Sequence, residues 1–168
     1  DLKKAEAAKA VQAAQALGLV EGSTLWYDLE GFNVSLTDCR ESALWFLSGW
    51  TWRLQQLDYV SGVYSSAGSL TALDDARVSR PDVFHLPERI WIARWDGIAN
   101  TSTSYLRSDG WLPGNRMKQY QGGHDETWGG VTINIDRNFL DVGKGSVAAP
   151  ERHCRSVQID FPTYRALK

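Results

Sequence analysis

Trp26-Tyr27-Asp28-Leu29-Glu30-Gly31-Phe32 is the stretch from which the fold is read. It reads as a short strand, Thr24 to Leu29, that stops at a glycine. Side chains on a strand alternate between its faces. Leu25, Tyr27 and Leu29 therefore take one face, and Asp28 and Glu30 share the other, with backbones roughly 6.6 Å apart at about 3.3 Å per residue. Upstream, residues from about Leu2 to Leu17 are rich in Ala, Lys, Glu and Gln and predict a helix. Leu2, Ala5, Val11, Ala14 and Leu17 form its apolar stripe, and Gly18 its C-terminal stop. Downstream, Asp38 with Glu41 predicts a capping box. The helix it opens runs to about Leu57 on Ala43, Leu44, Phe46, Leu47, Trp50, Leu54 and Leu57. Val60 to Ser65 then reads as a second strand. Helix, strand, helix, strand is the grammar of an α/β protein with a parallel sheet.

The remaining segments extend the pattern. A short helix is expected around Leu70 to Ala76, ended by Pro81. Arg89 to Trp95 reads as a nearly continuous apolar strand covered on both faces. Asp96 to Gly114 has turn composition. Arg116 to Gln121 and Val131 to Asp136 are two more strands, joined by a glycine-rich connection at 122–130 that lacks a phosphate-loop pattern. Phe139-Leu140 is read as the start of a final turn. Five strands in 168 residues are too few for a complete eight-stranded barrel, which takes about 200 residues at the least. A (β/α)8 TIM-barrel-like fold lacking its first strands fits. Residues 1–142 would then be the C-terminal part of a barrel and 143–168 a tail.

Composition narrows the function classes. A net charge of −2, without any Lys/Arg cluster, argues against nucleic acid as a partner. No apolar run approaches the roughly 20 residues of a membrane span. His85, His124 and His153 are scattered, so no metal site and no cofactor are expected. Cys39 and Cys154 are either one disulfide or two buried thiols. The first residue is not Met and no signal peptide is visible, which reads as a trimmed or cleaved product. The eight tryptophans are the unusual count. Trp suits core packing and equally the stacking of sugar faces.

Two carboxylates side by side repel and separate into a proton donor and an anion, the division of labour that glycoside hydrolysis uses. The plain alternative is a structural ion pair, for instance with Arg94.

Several stretches in order resemble a known group. They are Gln15-Ala16-Leu17-Gly18 with Leu25 to Glu30, Gly62-Val63-Tyr64-Ser65-Ser66, and Ile90-Trp91-Ile92-Ala93-Arg94-Trp95. Gln119-Tyr120-Gln121, Gly129-Gly130-Val131 and Ile135-Asp136-Arg137-Asn138 complete the set. Together, over about residues 5 to 142, they resemble the actinobacterial glycoside-hydrolase-like domain. More distantly they resemble the Chalaropsis-type lysozymes of glycoside hydrolase family twenty-five.

The resemblance implies a TIM-like barrel with its site at the C-terminal strand ends. It implies Glu30 as general acid and Asp28 as nucleophile or stabilising anion, with Tyr64, Trp95, Gln119, Tyr120 and Asp136 around the substrate. Each of these has a structural alternative. Tyr64 and Trp95 could be packing residues, Asp136 a partner of Arg94 or Arg137, and Gln119 a brace for a neighbouring loop. The lysozymes carry a further Asp on the first barrel strand, and no residues here could supply that strand. The missing N-terminal part of the barrel is therefore an expected partner.

The expected activity is hydrolysis of a glycosidic bond in a cell-wall polysaccharide such as peptidoglycan, by a secreted or cell-surface protein. The alternatives are a non-catalytic carbohydrate-binding barrel that keeps the cleft, and a structural domain of a surface assembly.

Overall fold

The computed structural model describes residues 2–143 and 147–149. The order is α1 (Leu2–Ala16), β1 (Thr24–Asp28), α2 (Thr37–Gln55), β2 (Val60–Ser66), α3 (Ala67–Ser79), β3 (Arg89–Ala93), β4 (Arg116–Trp128) and β5 (Val131–Asp141). One curled sheet, a half barrel, runs in the order β1-β2-β3-β4-β5. The first four strands are parallel and β5 is antiparallel to β4. The molecule is thus mixed α/β, and the all-parallel sheet expected from the early βα alternation holds only through β4. A β-hairpin ends the run because its two strands need no crossover.

The helices cover one face. Leu44 and Leu47 of α2, Leu70 and Leu73 of α3, Val63 of β2 and Ile90 and Ile92 of β3 form a fully buried core. A second cluster joins Ala7, Val11 and Ala14 of α1 to Trp50 and Leu54 of α2. The stripe on α1 is therefore 7, 11 and 14. Leu2 and Leu17, expected on it, are 71% and 79% exposed. Small Ala side chains let α1 lie close on α2, so the larger residues are not needed at the contact. At the end of α1, Gly18 has φ +78°. Its N–H donates to Gln15 O and the Leu19 N–H to Ala14 O, the paired bonds of a Schellman cap.

Other local readings are corrected. The capping box at Asp38 and Glu41 does not form: α2 begins after Leu36 with no side-chain cap bond. Glu41 instead receives both Arg80 guanidinium nitrogens, at 2.9 and 3.1 Å. Helix α3 is longer than expected because Ser66 caps it, its Oγ accepting the Ser69 N–H at 3.1 Å. β3 is not covered on both faces alike. Ile90 and Ile92 are buried and Arg89, Trp91 and Ala93 only partly so.

The region 122–130 is not a loop, and Phe139-Leu140 is not a turn. β4 and β5 form a long ribbon closed by Gly129 and Gly130, both with positive φ (56° and 82°). Two such residues between paired Trp128 and Val131 fit a two-residue hairpin turn. Gly122 and Gly123 lie at a register shift, so they mark a bulge and not a strand end.

The connection from β3 to β4, residues 94–115, carries no helix and is held by buried charges. Arg116 donates to Gly110 O and Arg107 O, at 2.7 and 2.6 Å. Lys118, fully buried, donates to Asp96, Asn100 and the Ser102 carbonyl. Asp74 of α3 accepts from the Arg107 backbone and guanidinium. Residues 147–149 run beside the start of β1, where Ser23 Oγ and the Val147 backbone exchange bonds. Cys39 is exposed and unbonded. Cys154, His153 and most of the proposed tail lie outside the described residues. No helix among the described residues is long and apolar enough to cross a membrane.

Candidate functional site

Strand alternation sends Val63, Ile90 and Ile92 toward the helices and their neighbours to the opposite face. The register places Asp28 beside Tyr64 and Tyr64 beside Trp91. Trp26, one pleat before Asp28, lies beside Gly62. These residues converge on a cavity of about 260 Å³ lined by Trp26, Asp28, Glu30, Tyr64, Trp91 and Gln119. It opens at the C-terminal ends of the parallel strands, where ligands gather in α/β sheets.

Asp28 and Glu30 both reach the cavity, though not as the strand reading expected. β1 ends at Asp28. The Leu29 N–H still bonds Tyr64 O at 3.0 Å, but Glu30 has φ +57° and has left the extended conformation. The Ser65 hydroxyl donates to the Glu30 carbonyl and holds that turn. A non-glycine residue in the left-handed region is uncommon and points to a local demand on side-chain placement. Both carboxylates are exposed. Among the described residues neither side chain has a hydrogen bond or an ion pair. The Arg94 ion pair does not form, because that guanidinium lies over the Tyr105 ring at 5.1 Å.

The floor is aromatic. Trp26 and Trp91 meet edge to face, centroids 5.9 Å apart at 75°, and Tyr64 meets Trp91 at 5.1 Å and 73°. Gly62 makes this possible, since a Cβ there would collide with the Trp26 ring. The Trp91 indole donates to Asn138 Oδ1 at 2.8 Å, which fixes its plane. The Tyr64 phenol is pushed above its usual range by burial first, and then by the negative charges of Glu30, Asp28 and Asp136. It stays a neutral donor.

Gln119 is the hub of the wall. Its Oε1 accepts from Tyr64 Oη at 3.2 Å and from Trp95 Nε1 at 2.8 Å. An indole can only donate, so the amide orientation is fixed. Its Nε2 donates to Asp136 Oδ2 at 2.8 Å, and Asp136 Oδ1 accepts the Gly123 N–H at 3.2 Å. Asp136 therefore stands one bond behind the cavity, and neither Arg94 nor Arg137 is its partner, since Arg137 pairs with Glu126.

Trp95 lies beyond the end of β3, is 65% exposed, and rests against Gly122 at the root of the ribbon. It sits at the rim and does not line the cavity. Tyr120 is not brought to the cavity; its carbonyl accepts the Gly97 N–H. Trp26 and Trp91 are the lining residues that the sequence reading did not single out. Their signal was present, because both share strand faces with Asp28 and Tyr64. Among the described residues no cluster of His, Cys, Asp and Glu could hold a metal.

The curled α/β half barrel sets two exposed carboxylates over an aromatic floor, and a family model matches it. The chain belongs to the Rv2525c-like, glycoside hydrolase-like domain family, whose model matches residues 3–140. No curated protein matches it. Among solved structures it is similar to the crystal structure of an uncharacterized B. stearothermophilus protein, at 16% identity and a TM-score of 0.45. That match covers 83% of this chain and 62% of the other, so the chain spans under two thirds of that protein's length.

Proposed function

We propose that this domain acts on a glycan, as a glycosidase that cleaves a cell-wall polysaccharide such as peptidoglycan outside the cytoplasm. The observation that carries this reading is the pair Asp28 and Glu30, exposed above an aromatic floor and unpaired among the described residues. Carboxylates without a structural partner are available for chemistry, and flat rings suit sugar faces. In this reading Glu30 protonates the leaving glycosidic oxygen and Asp28 attacks the anomeric carbon or stabilises its developing positive charge. Tyr64, its hydroxyl donated to Gln119, supplies ring surface beside them, and Trp95 flanks the entrance. In this reading the half barrel is one part of a TIM-like barrel around the same cleft.

A second reading is a carbohydrate-binding barrel without turnover. Glu30 favours it in one respect: its carboxylate lies beyond the strand, so the fixed same-strand spacing that a retaining pair exploits is not kept. The test is glycan release from purified cell wall and from chitin-type oligosaccharides, comparing the parent protein with Glu30→Gln. Release lost by about a hundredfold or more in the variant supports general-acid catalysis, whose contribution is typically of that order. No release by the parent, with glycan binding intact in both proteins, leaves the binding reading.

A further inference from the structure

We infer that the cavity recognises a protonated amine, so that its preferred glycan is a polymer of amino sugars carrying free amino groups. The inference rests on the glycan reading above and narrows it to a substrate class. Its ground is the shape of the floor together with the local charge.

Trp26, Trp91 and Tyr64 stand at near right angles, at 75° and 73°, around one small cavity. Rings set at such angles around one cavity make a box, not the single flat platform that suffices to stack a neutral sugar. The face of an aromatic ring carries negative potential, and several rings set around one point form the arrangement that holds ammonium groups. The polar edges of Trp91 and Tyr64 are already tied to Asn138 and Gln119. What these two rings offer a ligand is therefore aromatic surface without a free polar edge.

The carboxylates above the box have the complementary sign. None of the six lining residues is basic. Arg94 lies over Tyr105, Lys118 is bound to Asp96 and Arg137 to Glu126. Arg89, on the same sheet face but toward the N-terminal ends of the strands, donates to Thr24. Asp136 adds a third negative charge behind Gln119. A cationic group entering from the strand ends meets Asp28 and Glu30 first and the ring box beneath them. A ligand carboxylate or phosphate meets the same groups as repulsion.

The experiment is a titration of tryptophan fluorescence with two probes at matched ionic strength, a glucosamine tetramer with its amines protonated and an N-acetylglucosamine tetramer. The expected result is about tenfold tighter binding of the amine-bearing tetramer. That preference should shrink in Asp28→Asn and in Trp91→Leu, and should weaken as salt is added. Asp28 is exposed at a strand end, so its variant keeps the fold even where Trp91→Leu does not, as circular dichroism will show.

Equal affinity, tighter binding of the acetylated tetramer, failure to bind either, or a preference untouched in Asp28→Asn overturns the inference. If glycan release depends on Glu30 but shows no preference for free amines, the glycosidase reading stands and this one falls. If the amine preference is found without release from any polymer, the reverse holds.

Discussion

Gly62 shows how much a single position controls. Its missing side chain is the space that the Trp26 ring occupies. Gly62→Ala is expected to push that ring toward the cavity and to destabilise the fold by about 1–3 kcal/mol, the usual range for overpacking. Thermal denaturation and the loss of ligand-induced fluorescence quenching check both effects. Gln119 is a second such position. Gln119→Leu removes the acceptor shared by Tyr64 and Trp95 and the donor to Asp136. Of these partners Tyr64 is the partly buried one, and leaving it unpaired costs about 1–3 kcal/mol, while Trp95 and Asp136 are exposed to water. The expected readout is a red-shifted tryptophan emission with lowered glycan affinity. If Gln119 contacted substrate alone, the emission of the ligand-free protein would not move.

At this scale the sequence was readable where a residue acts through its strand. Asp28 was placed by alternation and Tyr64 by resemblance, and both line the cavity, whereas Glu30 reaches it from a left-handed turn beyond β1 that alternation does not describe. Trp95 and Tyr120 were expected at the cavity from the resemblance alone, but β3 stops at Ala93, and Tyr120 lies where the pairing register of β4 slips. Bulges and strand ends are fixed by tertiary contacts, which local pattern does not encode.

Among the elements, the 94–115 connection carries the clearest pH dependence. Burial raises the Asp96 carboxyl, but the Ile98 N–H and the Lys118 ammonium outweigh it and hold it below the ordinary carboxylate range. A depressed folded value means that the unfolded chain binds the proton more readily. The stabilisation is therefore complete above the unfolded carboxylate value and is lost as pH falls through the folded one. Acidification below about pH 4 is expected to loosen this connection, read as faster amide exchange at Asp96 to Ser102, and Asp96→Asn should flatten that response.

Helix α3 offers a simpler test. Ser66→Ala removes its cap and is expected to cost about 1 kcal/mol in thermal or denaturant unfolding. The ribbon explains the largest misreading of an element. Gly122-Gly123 and Gly129-Gly130 look alike in sequence, yet one pair sits at a bulge within β4 and the other turns the hairpin. Only the cross-strand register separates them.

On the scale of the whole molecule, the α/β class and the order of elements were visible because hydrophobic period and turn residues are local signals. The antiparallel last strand was not, because direction is settled by pairing. Among the described residues β1 pairs only with β2, so it forms a sheet edge. Its amides are expected to exchange faster than those of β2 and β3, which hydrogen–deuterium exchange followed by mass spectrometry will test; protection equal to that of β2 would mean that the edge is covered in solution. A glycan that fills the cleft at a hundred times its Kd should add about 2.7 kcal/mol of stability, roughly 5–11 °C in Tm for a domain of this size.

The alternation that builds the site also separates two kinds of constraint. Val63, Ile90 and Ile92 pack toward the helices, while Trp26, Tyr64 and Trp91 line the cleft. Each of the three rings comes from a different parallel strand. Exchanging one alters the cleft and leaves the helix-side core in place. Descendants of such a chain can therefore change diet without changing skeleton, and within one family the scaffold is expected to outlast any single ligand preference.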